Sequence, residues 1–510
     1  MEFNIFTLIA FGLYALIILG IGIWSFNRSK NMSDYFLGGR QLGSWTTAIS
    51  AQASDMSGWL LMGLPGSVLV GGLTQSWIAI GLFIGTYLNW LIIAARLRKM
   101  SYAAGDAITI PEYLQKRFFS NSPVVRFVCA VIIFFFFLIY TASAFSGGAK
   151  LFNFVFGVDY TIALTIGALI IISYTFLGGF LAVCWTDLVQ GLLMFAALVV
   201  VPVVMLFKIP DMGAAYDTAL NAGAVTEYYF SFIKAPDGSL AVTTIVSGLA
   251  WGLGYFGMPH ILVRFMAIKS SDMIKKSRLI ATIWVFVTLG AAVLVGVFGM
   301  MFLHNPENAE LLAKFNAMND SEKIFMFLSS SLLPALIAGI ILSAILAAIM
   351  STADSQLLVT SSAVTNDMFK LFKKNANEKT LMWISRGTVI LVAVIAYVIA
   401  LDQNSSVMGL VSYAWAGLGA AFGPAMLLSL FWKKMTFQGA VAGIITGGAS
   451  VIIWENVPVL AGTGVYSLLP AFVLAMAAVI VVSLATKIDG AKVDELFAKA
   501  AKTDIEEKKA

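Results

Sequence analysis

The chain has 510 residues, of which 60% are hydrophobic and 12% charged, and its mean hydropathy is +0.90. A soluble domain carries about 25% charged residues, so this balance excludes one and defines a polytopic membrane protein. The formal net charge of +5 is no nucleic-acid signal, because the basic residues are spread over short loops. Cys129 and Cys184 lie in apolar runs and imply no disulfide framework. His260 and His304 are too few for a metal cluster.

Apolar runs of about 20 residues mark membrane spans. Thirteen are predicted, over residues 5–25, 46–67, 72–96, 124–147, 160–182, 187–207, 243–263, 281–303, 328–362, 381–401, 406–432, 438–456 and 463–486. The first opens on Glu2 rather than a basic patch and ends at Trp24–Arg28 without a small-x-small cleavage site. It therefore reads as a retained span, not a signal peptide. The ninth is too long for one straight crossing and is expected to run on past the membrane. Pro111-Glu112-Tyr113 opens a short predicted helix between the third and fourth spans.

With the N-terminus outside, most of the 32 lysines and arginines fall on the inner side, and only Lys150, Lys208, Lys234, Lys314 and Lys323 fall outside. This asymmetry predicts an outer N-terminus and a cytoplasmic C-terminus, which an odd number of spans permits. The tail from Lys487 alternates lysine with acids and alanine, and reads as a solvated helix or disordered end.

Two spans are unlike plain anchors. Ser50–Gly66, SAQASDMSGWLLMGLPG, holds Asp55 between Ser54 and Ser57, with Gly58, Gly63, Pro65 and Gly66 close behind. A carboxylate at mid-bilayer costs about 2.5–3.5 kcal/mol and normally faces a partner, a cavity or an ion. Glycine and proline free backbone groups that only protein or a wet cavity can satisfy. A broken helix with a buried acid and small hydroxyls is how secondary transporters build an ion and solute site. The seventh span, SGLAWGLGYFGMPHILVRF, is similarly interrupted at Gly248, Gly252, Gly254, Gly257 and Pro259. The two lie five spans apart, the spacing that two inverted five-span repeats would give.

Asp55 either pairs with a nearby donor or sets the field for a cation. Sodium takes about five or six hard oxygens, which freed carbonyls and hydroxyls supply. A second hydroxyl source is the ninth span, where Ser351, Thr352, Asp354 and Ser355 fall within about one turn. Such hydroxyls often only bond back to their own helix, but this density exceeds that use. Asp187, after Trp185-Thr186, reads equally as an acid at a helix N-terminus or as a functional group. Trp251, Tyr255 and Pro259, at four-residue spacing, share one helix face, for packing or for a solute pocket. Tyr140, beside Thr141 and Ser143, is a weaker candidate. Gly38-Gly39 and Gly178-Gly179 lack a phosphate-loop context and read as helix ends. No nucleophile–base spacing and no nucleotide-binding motif is present, which argues against an enzyme and against an ATP-driven pump.

At residues 34–40 (DYFLGGR), 53–66 (ASDMSGWLLMGLPG), 76–81 (SWIAIG), 178–183 (GGFLAV), 185–187 (WTD), 251–257 (WGLGYFG) and 411–417 (VSYAWAG) the sequence resembles the sodium:solute symporter family, its proline-carrying members in particular. The resemblance covers most of the chain up to Trp432. It implies an all-α membrane fold of about 13 transmembrane helices around a LeuT-like core of two inverted five-helix repeats. The expected units are an extra helix and loop (1–45), a first repeat (46–207), a second repeat (243–432), two further helices (433–486) and a charged tail (487–510). The resemblance implies a sodium ion held by the carbonyls of Ala53, Met56 and Ala348 and the side chains of Ser351 and Thr352. Arg40, Asp55 and Ser57 would support coupling. Trp59, Gly63, Tyr140, Trp251, Tyr255 and Pro259 would line a pocket for L-proline, its small ring between aromatic faces and its carboxylate on half-helix amides. Asp354 departs from the family, standing where a small hydroxyl residue is common. With Asp187 and Ser355 it suggests a second cation or proton site. The implied partners are sodium, L-proline and the lipid bilayer, with no nucleic acid and no obligate protein partner. Rival expectations are another small solute, such as pantothenate or a different amino acid, and, from another class, a channel or a membrane-embedded sensor.

Overall fold

The computed structural model describes residues 5–26, 32–175, 179–373 and 376–507; Glu2 and Arg28, named above at the ends of the first span, and Gly178, read with Gly179 as a helix end, lie outside them. Among the described residues the chain is helical, with two isolated bridges, Leu42 with Ile268 and Lys234 with Leu240. Helix is the form that satisfies every backbone group within its own segment in lipid. Among the described residues ten helices are long and apolar enough to cross a membrane, and a pair bent by 47°, Val242–Gly257 with Pro259–Ala267, makes an eleventh. One of the ten, the 45-residue run Trp59–Ala103, is long enough for two crossings. The chain turns between them at Gly72, whose φ is +70° and where a Cβ would fall 2.3 Å from the Tyr229 carbonyl oxygen. Tyr160–Thr175, at 16 residues, is short but apolar. Among the described residues, dividing that run at Gly72 and adding Tyr160–Thr175 would bring these eleven to the thirteen the sequence predicts.

Several boundaries differ from expectation for identifiable reasons. The fourth span continues through Gly147, Gly148 and Lys150 to Phe156, because Lys150 is buried against Asp320 (3.0 Å) and Glu322 (2.6 Å). Glu322 also accepts from the backbone N–H of Val407 (3.1 Å) and Met408 (3.0 Å), so it caps the helix Val407–Phe431. Burial raises the Glu322 pKa, but Lys150, the Met408 N–H and the Ser406 hydroxyl together lower it below the ordinary glutamate value. The predicted span 328–362 is corrected. It begins at Ala335, because Pro334 lacks an N–H and Leu333 before it is extended (φ −113°, ψ 148°). Ile324–Leu332 is a separate helix, and beyond Ser362 a π-helical turn, Ala363–Phe369, carries the chain onward. The short helix after Thr109 forms as predicted, over Ile110–Arg117, with the Thr109 hydroxyl accepting from Glu112 N–H.

The tail is a helix, one of the two forms expected, but it is docked on one side rather than solvated all round. Residues Gly490–Glu507 form a helix that packs on Ala95–Ala103 and buries Val493, Leu496 and Ala500. These lie three and four residues apart, so one narrow apolar stripe hides among the charges. Phe497 lies 5.0 Å from the Arg117 guanidinium and 5.6 Å from the Lys433 ammonium, and Lys433 pairs with Asp494 at 2.6 Å.

The bent seventh span lies against the helix Ser76–Leu88 through glycine on both sides. A Cβ on Gly85 would meet the Gly252 carbonyl oxygen at 2.3 Å, and one on Gly81 would meet that of Gly248 at 2.2 Å. Small residues let membrane helices approach to backbone contact. Gly85→Ala is therefore expected to cost about 1–3 kcal/mol by overpacking against unyielding backbone. A lower unfolding midpoint in detergent, against an unchanged one for Gly290→Ala, where a Cβ meets nothing within 4 Å, checks this.

Candidate functional site

The first break falls where the glycines and Asp55 predict it. The helix Ser44–Asp55 ends at Met56 (φ −84°, ψ 81°), and the chain resumes as a π-helical turn, Trp59–Gly63, before Leu64–Gly71. A regular helix would bond the Ser57 N–H to the Ala53 carbonyl. Here that N–H turns to the Asp55 carbonyl (3.0 Å), and the Leu60 N–H turns to Ser57 (3.0 Å). The Ala53 carbonyl is thereby released, and it accepts the Ser351 hydroxyl at 2.8 Å. Ser351 Oγ also lies 3.2 Å from the Ala348 carbonyl oxygen. Thr352 is fully buried, and its hydroxyl has no hydrogen-bond partner. Three of the five predicted sodium ligands thus meet directly, Thr352 stands on the next position, and Met56 sits buried at the break itself.

Asp55 lies beside them. Its Oδ2 accepts the Tyr255 hydroxyl at 2.5 Å, and its Oδ1 is buried with no hydrogen-bond partner. Its carbonyl accepts from Trp59 Nε1 (3.0 Å) and from the Tyr140 hydroxyl (3.3 Å). Ser57 Oγ lies 3.5 Å from the Trp59 amide. Asp55, Trp59, Tyr140 and Tyr255 therefore form one connected group.

The second break lies at Met258 (φ −80°, ψ 106°), between the 3₁₀ turn Trp251–Gly257 and the helix Pro259–Ala267. This corrects the reading of Trp251, Tyr255 and Pro259 as one helix face, because the break separates the rings from the proline. Trp251 lies 6.5 Å from Trp59, 6.4 Å from Trp415 and 5.0 Å from Tyr466 between ring centroids. Tyr255 meets Trp415 edge-on at 5.1 Å, and Trp415 Nε1 donates to the Trp251 carbonyl at 2.9 Å. Trp415 and Tyr466 were not singled out as pocket residues, though Trp415 stands in the family-like stretch 411–417. Gly63 packs on Met408, where a Cβ would lie 3.0 Å from the methionine. Pro259 instead lines a separate cavity of about 30 Å³, with Phe36, Phe180, Arg264, Ser355 and Asp367.

Arg40 stands apart from the sodium-ligand group. It donates to Asp106 (2.7 Å), to the Met266 carbonyl (2.6 Å) and to the Ala107 carbonyl (2.8 Å). It thereby ties the loop before the first broken helix to the loop after Ala103 and to the end of the second broken helix. Asp187 is corrected as a helix-end acid: its helix starts at Phe180, so Asp187 lies two turns inside and is fully buried. It pairs with Arg264 at 3.1 Å and accepts from Ser50 Oγ at 2.6 Å. Arg264 donates to Ser355 Oγ at 2.6 Å, and Ser355 Oγ lies 3.4 Å from Asp354 Oδ1. Asp187, Asp354 and Ser355 do meet, with Arg264 between them. The seventh predicted span, 243–263, stops one residue before Arg264, so the sequence does not single it out.

Two mid-membrane helix breaks, one lined with hard oxygens and one with aromatic rings, define a secondary transporter. The oxygens gathered at the first break include the Ala53 and Ala348 carbonyls and the Ser351 hydroxyl, hard neutral donors of the kind that suit an alkali cation. The chain belongs to the sodium:solute symporter family, whose model matches residues 35–447. It is 46% identical to the osmoregulated proline transporter OpuE of Bacillus subtilis (strain 168), across 95% of this chain and 96% of that one. It is 43% identical to the sodium/proline symporter of Escherichia coli (strain K12), across 97% and 96%. A Na+-coupled sialic acid symporter solved in a substrate-bound outward-open state has the same fold, with a TM-score of 0.77 at 19% identity over 96% of this chain and 99% of that one.

Proposed function

We infer that this chain couples inward sodium flow to uptake of L-proline by alternating access. The observation that carries the reading is the Ala53 carbonyl, freed at the first break and facing Ser351 at 2.8 Å across two helices. With sodium present, the carbonyls of Ala53, Met56 and Ala348 and the hydroxyls of Ser351 and Thr352 would turn to the ion. The ion would thereby hold the first broken helix to the helix Ala335–Ser362. Proline would lie against Trp59, Gly63, Tyr140, Trp251 and Tyr255, next to the ion. A ligand shifts a two-state equilibrium only by its differential affinity for the two states, and a site shared between two moving helices provides such a difference. Each positive charge carried inward gains about 2.3 kcal/mol per 100 mV.

The path to the inner face would run through the cavity lined by Pro259, Arg264, Ser355 and Asp367. Arg40, by tying three segments together, would hold that path shut, which would give Arg40 its part in coupling. Asp187 Oδ1 and Asp354 Oδ2 are buried without hydrogen-bond partners, which supports a second cation or a proton at Asp187, Asp354 and Ser355. Two inverted repeats over 46–207 and 243–432, an outer N-terminus and a cytoplasmic C-terminus complete the reading.

Proline uptake into vesicles under an inward sodium gradient tests it. A sodium ionophore is expected to abolish accumulation. Undiminished uptake driven by protons without sodium would defeat the sodium assignment. Displacement of labelled proline by another solute at lower concentration would reassign the substrate.

A further inference from the structure

The last spanning helix, Leu468–Ala485, is entered from a loop that reaches back into the aromatic group. Gly464 lies in the left-handed region (φ +67°) and turns the chain there. The residues around this turn are fastened to three separate helices. Trp454 Nε1 donates to the Val465 carbonyl at 3.1 Å. Ser247 Oγ lies 3.5 Å from the Gly464 carbonyl oxygen and accepts the Tyr466 N–H at 3.0 Å. The Tyr466 hydroxyl donates to the Ser412 carbonyl at 2.7 Å. So held, the Tyr466 ring lies within 20° of parallel to the Trp251 ring, and at 5.0 Å it is closer to Trp251 than Trp59 or Trp415 is.

These ties have a direction. Ser247 stands about one turn before Trp251, and Ser412 about one turn before Trp415, each toward the end of its helix at Val242 or Val407. Beyond them the two tryptophans are joined to each other, Trp415 Nε1 donating to the Trp251 carbonyl at 2.9 Å. One side chain from a segment outside the two repeats thus bridges the second broken helix and Val407–Phe431, one turn nearer the loop face than the pocket rings. Packing alone accounts for a ring on a ring. It does not call for an amide and a hydroxyl fixed to opposite walls. We propose that Tyr466 is a lid over the solute pocket and a specificity-determining residue: its ring covers Trp251 on the side from which solute enters, and its hydroxyl latches it to Val407–Phe431. The assignment rests on the transport reading above and its pocket at Trp251. A ring held at both ends cannot yield to a bulkier solute without breaking the Ser412 bond, so the lid discriminates by size.

Competition of labelled proline uptake by pipecolate, the six-membered-ring homologue, tests the lid in the full chain under an inward sodium gradient. Both solutes meet the same molecules, so their ratio does not depend on how much protein folds. Y466A is expected to shift the preference toward pipecolate by about 10-fold or more, the scale on which a pocket discriminates one methylene. Y466F keeps the ring and should keep the parent's preference, while its KM for proline rises about 2- to 12-fold with the loss of one hydrogen bond. S247A releases the Tyr466 amide, should raise the proline KM severalfold, and serves with Y466F if Y466A does not fold. An unchanged preference in Y466A, or a parent-like KM in both Y466F and S247A, overturns the lid. A parent that takes up no proline would defeat the transport reading and the lid with it, whereas proline uptake in the parent lets the lid fail alone.

Discussion

Replacing Ser351 with alanine is expected to raise the sodium concentration for half-maximal proline uptake by about 10- to 150-fold. The hydroxyl is the one side-chain oxygen that already bridges the two helices, reaching Ala53 at 2.8 Å and lying 3.2 Å from Ala348. A hydrogen bond or ligand contact to a charged group contributes about 1.5–3 kcal/mol, which sets that range. The methyl group left behind would also leave the Ala53 carbonyl buried and unpaired, since the backbone N–H that should reach it bonds to Asp55 instead. Ser351→Thr keeps the oxygen and should restore most of the affinity. Initial uptake rates across a sodium series, at saturating proline, give the result. A variant with the parent's sodium dependence would show that Ser351 is a helix-to-helix hydrogen-bond donor and not a sodium ligand.

The second large effect is on stability. Arg264→Gln is expected to destabilise the protein by about 3–5 kcal/mol, the usual cost of removing one member of a buried ion pair. Arg264 and Asp187 have side chains 1% and 0% exposed. Without the guanidinium, Asp187 and Asp354 share a site with only Ser50 and Ser355 as donors, and Ser355 then has no arginine to receive. Asp187→Asn should cost less than Arg264→Gln, because Arg264 keeps Ser355 (2.6 Å) and the His260 carbonyl (2.6 Å). The double variant should recover part of the loss, since the opposed charges leave together. Denaturant unfolding in detergent of the two single variants and the double variant measures the coupling, and strictly additive costs would show that the pair is not one unit.

The broken helices were readable because lipid makes their residues conspicuous. Asp55 among glycines is costly unless the chain opens there, and it does open, at Met56. The hydroxyl turn was readable for the same reason, since four polar groups within about one turn of a spanning helix exceed what back-bonding needs. Less could be read where a residue's role depends on a distant partner. Lys150 looked like a loop cation because its acids, Asp320 and Glu322, lie some 170 residues on. Arg264 looked peripheral because nothing near it in sequence announces Asp187. Pro259 follows Tyr255 at helical spacing, but the turn at Met258 carries it into another cavity. Trp415, from the helix Val407–Phe431, and Tyr466, from the loop before Leu468–Ala485, complete the aromatic group from segments far along the chain. One missed signal was local: Pro334 fixes the start of the ninth span.

Sodium binding at equilibrium, without proline or a gradient, tests the central claim most directly. Trp59 is a built-in reporter, since its Nε1 bonds to the Asp55 carbonyl at the break. Titrating the purified protein with sodium should give a saturable fluorescence change that potassium does not produce and that Thr352→Ala shifts to about tenfold or more higher concentration. The same midpoint in parent and variant, or the same response to potassium, would contradict a sodium site between the first break and the helix Ala335–Ser362.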